Sequence, residues 1–520
     1  MKVQYSVLLP LVALVISGVQ AGTVTNNSDS GPGSLREVLG AAGNNGVIDF
    51  DQSLNGATIT LSSGALTTTG LTLTIDASAL ASGVTLSGDH SSSILRIGED
   101  EGTLRPDVTL KKLHLRNGNN TSGYGGGIYA FQCHLVMEAC SIRDCVSATV
   151  GGDLLIGNGG GILAYQSELV LEACVIRDCS SAADGGGIWG NAVSGSIKRC
   201  MITGNQSGGY GGGIFLIGVS TNSLGISSSQ ISGNKSLNGG GIYNFSASPR
   251  IANCSVQGNL GGGLQNFAPP GFPLSEPVLR NSIVWGNSAS GGSTTAPEQL
   301  GNSGDSHPDV DYCLIEGASD ATSFKDGNLV VWGSGNLDGT LAANDPQFVG
   351  AVPAANAPSS AANLRVLGSS PVWNRGNNAF GSTALDLAGN VRIQNVTIDL
   401  GAYESGCDYA VWAALYADNQ TAGLDHDNDG VPNGVEYFMG QTGSGFTSIP
   451  AVVNSAGVLT WAWPRDPNAS AAFKFQISDT LDGTDWEDVV PPDPSINTTD
   501  PNQVIYTFGP KHFCRFVVTP

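Results

Sequence analysis

The chain has 520 residues, with 73 glycines, 22 basic and 44 acidic side chains, and a formal net charge of −22. Glycine is about twice and charged residues about half as common as in ordinary globular proteins, and 40% of the residues are hydrophobic. This composition excludes whole-chain disorder. The glycines follow no three-residue period, which excludes collagen. The acidic charge excludes a general nucleic-acid-binding surface, because phosphates need basic partners.

The first 21 residues have the features of a secretory signal peptide. Lys2 is followed by an apolar run over residues 8–16, and Ala21 ends a small-residue cleavage site before Gly22. No later stretch reaches about 18 consecutive apolar residues, so we expect no transmembrane span. We therefore expect an exported protein, extracellular or at the cell surface, where its ten cysteines are free to form disulfides.

Two short motifs alternate through the middle of the chain. The first is GGG followed by Ile or Leu, at residues 125–128, 159–162, 185–188, 211–214, 239–242 and 261–264. The second resembles EACSIRDC or KRCMITGN and begins at Glu138, Glu172, Lys198, Ser227, Ala252 and Asn281. A unit of about 20–35 residues with short alternating strands is too small to fold alone and matches one coil of a solenoid. The repeats therefore predict an all-β fold, a parallel β-helix with strands stacked about 4.8 Å apart.

Stacked coils place equivalent residues in ladders. An interior aliphatic ladder is predicted at Ile142, Ile176, Ile202, Ile231, Val256 and Val284. A small-residue ladder is predicted two positions earlier, at Cys140, Cys174, Cys200, Ser229 and Cys254. Buried free thiols are favoured there over disulfides, because side chains in a parallel ladder run side by side. A turn ladder is predicted at Asn205, Asn234, Asn259 and Asn287, with Cys145 and Cys179 on earlier coils. We expect these asparagines to adopt the left-handed conformation and to bond to one another.

Both ends of the repeat region carry further motifs. DSGPGSLRE at residues 29–37 and VIDF at 47–50 precede the repeats, and DPQF at 345–348, SPV at 370–372 and residues 386–404 follow them. With the GGG and GN motifs, these segments resemble the polymorphic outer membrane proteins and the choice-of-anchor surface proteins of bacteria. The resemblance covers roughly residues 23–405 and implies a right-handed, pectin-lyase-like β-helix associated with the outer membrane. Ser34 and Glu37 have capping-box spacing, which predicts a short helix closing the open end.

An acidic loop follows the repeat region. Asp425, Asp427, Asp429, Val431, Asn433 and Glu436 occupy positions 1, 3, 5, 7, 9 and 12 of an EF-hand-type calcium loop. Gly430 stands at position 6, where the loop needs a sharp turn. Pro432 argues against a paired EF-hand, so a lone loop of the thrombospondin-type-3 or dockerin kind is expected. A merely solvated acidic loop is the alternative.

The C-terminal part predicts a small antiparallel β-domain. Its candidate strands are residues 458–463, 473–477, 504–508 and 513–518, and a short helix is suggested at 408–418. Cys407 and Cys514 bracket this part and are a possible disulfide pair. We expect a signal peptide (1–21), a β-helix with cap and closing segment (22–405), a helix–calcium loop–helix segment (406–445) and a sandwich-like β-domain (446–520).

Two groups of side chains are candidate functional residues of the repeats. Arg143, Asp144, Arg177 and Asp178 lie on neighbouring coils, with carboxylates expected about 5 Å apart, near the separation in retaining glycosidases. A solvated surface ladder is the favoured alternative. Tyr129, Trp189, Phe215 and Tyr243 follow the GGG-Ile motifs and are expected on the outside, because neighbouring strand residues face opposite sides. They form either an exposed stripe that binds sugars or a protein partner, or a ladder that only stabilises stacking.

Three functions remain open. The favoured one is a non-enzymatic adhesin that binds a polysaccharide or surface protein, with peripheral surface attachment and one calcium ion. The others are a polysaccharide lyase or glycoside hydrolase, and a structural cell-surface component. No GxSxG, HExxH or CxxC motif occurs, which favours the first.

Overall fold

The computed structural model describes residues 19–519. It leaves out 69, 99–104, 121–123, 149–156, 222, 290–295, 325–329, 367–369, 382, 394–396, 405–412, 414–416, 419, 440, 442–446, 456–457, 467–468, 470, 479–485, 501–502 and 509–512. Most of the signal peptide, most of the helix suggested at 408–418, and Cys407 therefore lie outside the described residues.

Three long parallel sheets form the repeat region. Sheet A contains Val19–Val24, Gly46–Phe50, Thr72–Asp76, Asp107–Lys111, His134–Glu138, Glu168–Glu172, Ser194–Lys198, Leu224–Ser227, Arg250–Ala252, Val278–Arg280, Asp309–Asp311 and Val331–Trp332. Sheet B contains Thr58–Thr60, Val84–Ser87, Leu113–Arg116, Ser141–Arg143, Val175–Arg177, Met201–Thr203, Gln230–Ser232, Ser255–Gln257, Ile283–Trp285 and Leu314–Ile315. Sheet C contains Leu66–Thr68, Leu95–Ile97, Ile128–Phe131, Ile162–Tyr165, Ile188–Asn191, Ile214–Ile217, Ile242–Phe245, Leu264–Ala268 and Leu300–Gly304.

Each coil visits the sheets in the same order. In the central coils the chain runs from sheet A to sheet B, through a short fourth sheet, and then to sheet C. That fourth sheet contains Asn119–Asn120, Val146–Ser147, Ser180–Ser181 and Gln206–Ser207. Each strand pairs in parallel with the equivalent strands of adjacent coils. This architecture is a parallel β-helix, as the repeats predict.

The interior of the β-helix contains the aliphatic ladder predicted from sequence. Ile142, Ile176, Ile202 and Ile231 are register partners on successive strands of sheet B, followed by Val256 and Val284. All six side chains are buried in one continuous core. The cysteines of the neighbouring ladder are also buried, and their thiols are free. No disulfide joins the cysteines of the described coils.

The asparagine ladder forms, but with a different backbone from the one expected. Asn205 Nδ2 donates to Asn234 Oδ1 at 3.0 Å, and Asn234 Nδ2 donates to Asn259 Oδ1 at 3.0 Å. The expectation of a left-handed backbone at asparagine is wrong. The positive φ angle falls one residue earlier, as at Gly204 and Gly233. The reason is that the asparagine side chain turns into the interior, where its amide bonds between coils, so glycine makes the turn.

A short helix covers the N-terminal end. Helix α1 (Leu35–Ala41) begins after Ser34, whose side chain accepts a hydrogen bond from the Glu37 backbone N–H at 3.3 Å. The Glu37 carboxylate in turn accepts from Gly33 N at 2.6 Å, one residue before the position that a capping box uses. Leu35 and Leu39 enter the core. The helix therefore closes the interior at this end.

After the last coil the chain runs back along the outer face of sheet B. Ser359 N donates to Gly233 O at 2.8 Å, Val352 N donates to Gln257 Oε1 at 3.1 Å, and Tyr403 Oη donates to Gln230 Oε1 at 2.9 Å. Both glutamines are buried as a result. The strands Phe348–Gly350 and Asn363–Val366 pair antiparallel in this closing segment. Sheet B is therefore covered over several coils, and its outer face there is not a free surface.

Short helices lie in the connections. Helix α2 (Ala296–Gln299) precedes a strand of sheet C. Single 3₁₀ turns span Gln52–Leu54, Ala321–Ser323, Ala342–Asn344, Ala354–Asn356 and Asn378–Phe380.

The C-terminal part contains two antiparallel sheets and one helix. The first sheet contains Val452–Ser455, Val458–Pro464, Gln503–Phe508 and Ile496–Asn497, and the second contains Glu487–Val489, Ala472–Ser478 and Phe513–Thr519. Helix α3 (Asn433–Met439) packs Val435 and Phe438 into one core with Trp463 and Phe475. The acidic loop and the strands that follow it therefore share a hydrophobic core. We call residues 420–519 the C-terminal module.

Within the residues that the structure describes, no helix is long and apolar enough to cross a membrane.

Candidate binding face and acidic loop

The aromatic residues that follow the GGG-Ile motifs do face away from the interior. Tyr129, Trp189, Phe215 and Tyr243 are register partners of equivalent residues on adjacent strands of sheet C. They pack in a hydrophobic cluster separate from the interior core. Their aromatic rings stack along the sheet, with the Phe215 and Tyr243 ring centroids 5.7 Å apart and nearly parallel.

These rings are buried, so the alternative of an accessible stripe is wrong and the alternative of a stacking ladder agrees with the structure. Trp189 and Tyr129 are each 1% exposed. The loop residues Tyr124 and Tyr210 lie against the row, with their ring centroids 5.8 Å from Tyr129 and 4.8 Å from Tyr243. Side chains from loops and from neighbouring coils cover the row, which the strand period alone does not predict. The rings therefore support coil stacking.

A second row on the same face is the one that reaches solvent. It lies two residues further along each strand, and its members pair in register across sheet C. We call this row the aromatic face; it contains Phe131, Tyr165, Asn191, Ile217, Phe245 and Phe267. All but Phe131 are half-buried. Phe272, from the loop after the Phe267 strand, is 56% exposed and lies edge-on to Phe245, with centroids 5.9 Å apart.

Sequence reasoning missed this row, although its signal was present. The aromatic face falls two positions after the buried row in every repeat, and residues two apart on a strand share a face. The residue directly after each motif belongs to the row that the loops cover.

A cavity of about 340 Å³ opens beside the aromatic face, where the strands that carry Ile217 and Phe245 end. Gly218 and Ser246 line it and directly follow Ile217 and Phe245 in the chain. The remaining lining residues are Val219, Ser220, Thr221, Ser248, Pro273, Leu274 and Glu276. Ser246 Oγ is buried and has no hydrogen-bond partner among the described residues. The cavity therefore offers hydroxyl groups and one carboxylate beside aromatic rings, a mixture typical of binding sites.

Comparison with known proteins agrees with this architecture. A family model described as a right handed beta helix region matches residues 69–259. The fold is a right-handed parallel β-helix. The match spans the coils that carry most of the aromatic face. The search of curated proteins found no match to this chain.

The arginine–aspartate ladder has the predicted register. Arg143 and Arg177 are direct partners on neighbouring strands of sheet B. Each arginine pairs with the aspartate next to it in sequence, Arg143 Nη1 with Asp144 Oδ2 at 3.5 Å, and Arg177 with Asp178. Asp178 also accepts a hydrogen bond from Ser360 Oγ of the closing segment at 3.3 Å. These partly exposed pairs match the solvated ladder better than a pair of catalytic carboxylates.

The acidic loop brings three of the predicted calcium ligands together. Carboxylate oxygens of Asp425, Asp427 and Asp429 all lie within 4.8 Å of one another. Two oxygens on opposite sides of a calcium ion, each about 2.4 Å from it, would be separated by about that distance. Asp425 Oδ2 accepts from Gly430 N at 2.8 Å, and Gly430 has a φ angle of +94°. Glycine therefore makes the turn at position 6 as predicted.

Glu436 lies at the base of this loop on helix α3. Its side chain is 0% exposed, and its Oε2 atom has no hydrogen-bond partner among the described residues. Burial, together with the charges of the three aspartates, raises the pKa of Glu436 to about 7, against the opposing effect of a hydrogen bond from Thr447. None of the ion pairs among the described residues involves these four carboxylates.

Asn433 and Val431, the other two predicted calcium ligands, make different contacts. The Asn433 side chain is committed elsewhere, since its Oδ1 accepts from His426 N at 3.0 Å and its Nδ2 donates to Thr421 O at 3.3 Å. Asn433 therefore links the start of helix α3 to His426 in the loop and to Thr421 before it. Val431 donates its N–H to Asp429 Oδ1 at 2.8 Å, and its side chain enters the core of the C-terminal module.

A second buried charged group lies in the closing segment. Arg392 Nε is 3.2 Å from Glu404 Oε1, and both side chains are almost fully buried, together with Asp386 and Asp399. Burial raises the pKa of Glu404 to about 9, although Arg392 acts in the opposite direction. Burial also raises the pKa of Asp386. Among the described residues, Arg392 makes its ion pair with Glu404 alone, and its Nη1 donates to Ala402 O at 3.0 Å.

Proposed function

We propose that this protein is an exported, non-enzymatic binding protein that holds a neutral polysaccharide along the aromatic face of its β-helix. The observation that carries the proposal is the half-buried row from Tyr165 to Phe267, repeated on successive coils and continuous with the cavity at Ser246. Aromatic rings present flat apolar surfaces with defined stacking geometry. Tyr165, Phe245 and Phe267 supply the rings, and Asn191 and Ile217 lie between them. Because the row has one member on each coil, it suits an extended polymer better than a compact ligand.

The charges favour a neutral polysaccharide over an acidic one. Glu276 is the one ionisable residue among those lining the cavity, and the whole chain carries a net charge of −22. An acidic polymer would be repelled both locally and by the overall field. The hydroxyls of Ser220, Thr221 and Ser246 supply hydrogen-bonding groups that suit sugar hydroxyls.

Export and surface attachment are part of the proposal. The signal-like residues 1–21 support export, and β-helix coils present long faces suited to adhesion. Attachment to the cell surface would be peripheral. A calcium ion held by Asp425, Asp427, Asp429 and Glu436 completes the proposal. It is supported by the three aspartate carboxylates that lie together in the loop and by the place of Glu436 at position 12 of the EF-hand pattern.

The test is binding of the purified mature chain to immobilised neutral and acidic polysaccharides. We expect retention by at least one neutral polymer, with release of neither unsaturated products nor new reducing ends. Phe272→Ser and Phe245→Ala should each weaken retention by about tenfold or more, because each removes a ring at the face. Leu341→Ala, which alters an exposed side chain of the closing segment, is the matched control and should bind as the wild type does.

The outcomes separate the alternatives. Turnover of any polymer would favour a lyase or hydrolase and direct attention to Asp144 and Asp178. Retention that is unchanged in both ring variants would reject the aromatic face as the site.

A further inference from the structure

Thr447 connects the acidic loop to the strands of the C-terminal module. Its backbone N–H donates to Asp429 Oδ2, and its Oγ1 donates to Glu436 Oε1 at 2.9 Å. Thr447 is itself buried. It comes after helix α3 in the chain and before the first strand of the module, Val452–Ser455. One residue outside the twelve-residue loop therefore contacts two of its acidic side chains.

The free oxygen of Glu436 is what points to a cation. A buried carboxylate oxygen without a donor is costly, and Glu436 Oε2 is such an atom. Its partner oxygen, Oε1, is held by Thr447. Oε2 is therefore the oxygen of Glu436 without a donor, and Thr447 also joins Glu436 to Asp429 of the aspartate cluster through its backbone N–H. A divalent cation bound by the three aspartates would offer Glu436 Oε2 the partner that it lacks.

Helix α3 links Glu436 to the hydrophobic core of the C-terminal module. Glu436 lies between Val435 and Phe438, and both of these side chains pack in the core with Trp463 and Phe475. The carbonyl of Phe438 accepts a hydrogen bond from Asp466 N at 2.8 Å. The position of Glu436 is therefore fixed by the folded core on one side and by Thr447 on the other.

We propose that Thr447 is a positioning residue that makes calcium binding and folding of the C-terminal module depend on each other. This inference rests on the calcium site of the proposed function. Calcium holds Asp429 and Glu436 in place, and these hold Thr447 and helix α3 against the strands. The reverse follows by linkage, since a ligand that binds only the folded form stabilises it, and coupling between two equilibria is reciprocal. The β-helix does not take part.

The experiment combines calcium titration calorimetry with hydrogen exchange on the mature chain, residues 22–520. In the wild type, Ca²⁺ should slow exchange in peptides from residues 420–519 and leave the β-helix peptides unchanged. Thr447→Val removes the hydroxyl but keeps the shape, and should weaken Ca²⁺ binding about tenfold. Thr447→Ser restores the hydroxyl and should bind within about threefold of the wild type. Asp425→Asn serves as the variant without a functional site.

A core variant tests the reverse direction. Phe475 lies in the core of the module, is not one of the proposed ligands, and stacks on Tyr506 with ring centroids 4.5 Å apart, so Phe475→Leu perturbs the core without removing a ligand. It should lower the apparent Ca²⁺ affinity, and excess Ca²⁺ should restore its exchange protection. Equal Ca²⁺ affinity in Thr447→Val and wild type would overturn the role of Thr447 while leaving the calcium site intact. Absence of Ca²⁺ binding to the wild type would overturn both.

Discussion

The asparagine ladder should be a major contributor to the stability of the β-helix, and Asn234 is the residue that tests it. Asn234 Nδ2 donates to Asn259 Oδ1 and to Ile202 O, and its Oδ1 accepts from the backbone N–H and the amide of Asn205. All of these groups are buried. Asn234→Ala removes every bond that this side chain makes and leaves the Asn205 N–H without an acceptor.

The expected cost follows from those bonds. An orphaned buried donor costs about 1–3 kcal/mol, and each further hydrogen bond contributes about 0.5–1.5 kcal/mol. Allowing for partial relaxation, Asn234→Ala should lower the free energy of unfolding by about 3–5 kcal/mol. Asn238 is exposed and lies four residues away from Asn234, so Asn238→Ala should change the free energy of unfolding by less than about 0.5 kcal/mol.

The assay is urea unfolding followed by circular dichroism, with both variants and the wild type compared at the same pH. The free energy is taken from the shift in midpoint at constant slope. A loss of less than about 1 kcal/mol in Asn234→Ala would refute the reasoning, since it would mean that the ladder merely fills space.

Three further predictions follow from the buried groups. Trp189→Ala should destabilise the fold by about 3–5 kcal/mol, as for other buried aromatic truncations. Phe272→Ser should leave the melting temperature nearly unchanged. Thermal unfolding of the two variants beside the wild type measures both effects. The pKa of Glu404 is raised in the folded state to about 9, so the folded protein holds this proton more tightly than the unfolded chain does. The contribution of Glu404 to the free energy of unfolding is therefore largest below the unfolded-state pKa. It falls as pH rises towards 9, by up to about 1.4 kcal/mol per pH unit. Glu404→Gln should flatten that dependence in urea unfolding measured from pH 5 to 9, and an unchanged slope would contradict it. Burial raises the pKa of Cys254 and Cys313 to about 12, so neither thiol should react with iodoacetamide at pH 8 until the protein is unfolded, as mass spectrometry of the labelled peptides would show.

The sequence predicted the coils well because their signal is local and repeated. Ile142 and Ile176, 34 residues apart, pair directly, as the motif spacing requires. The asparagine amides bond between coils as expected. The C-terminal strands at 458–463 and 504–508 were also found close to their predicted bounds.

What the sequence did not predict depends on contacts between distant segments. Trp189 is buried because it stacks on Phe215 and packs with side chains of neighbouring coils, and strand alternation cannot show that. Gln230 is buried because Tyr403, 173 residues later, returns to it. Thr447 lies outside the calcium motif and is brought to Glu436 only by the folded module.

The most direct test of the central claim is a hydrogen-exchange footprint of the wild-type protein with a neutral polysaccharide that it retains. Binding at the aromatic face predicts slower exchange in sheet C and the adjoining loops, at residues 162–166, 214–221, 242–248 and 264–276. Slower exchange at Arg143 and Arg177 on sheet B instead, with sheet C unchanged, would contradict the account.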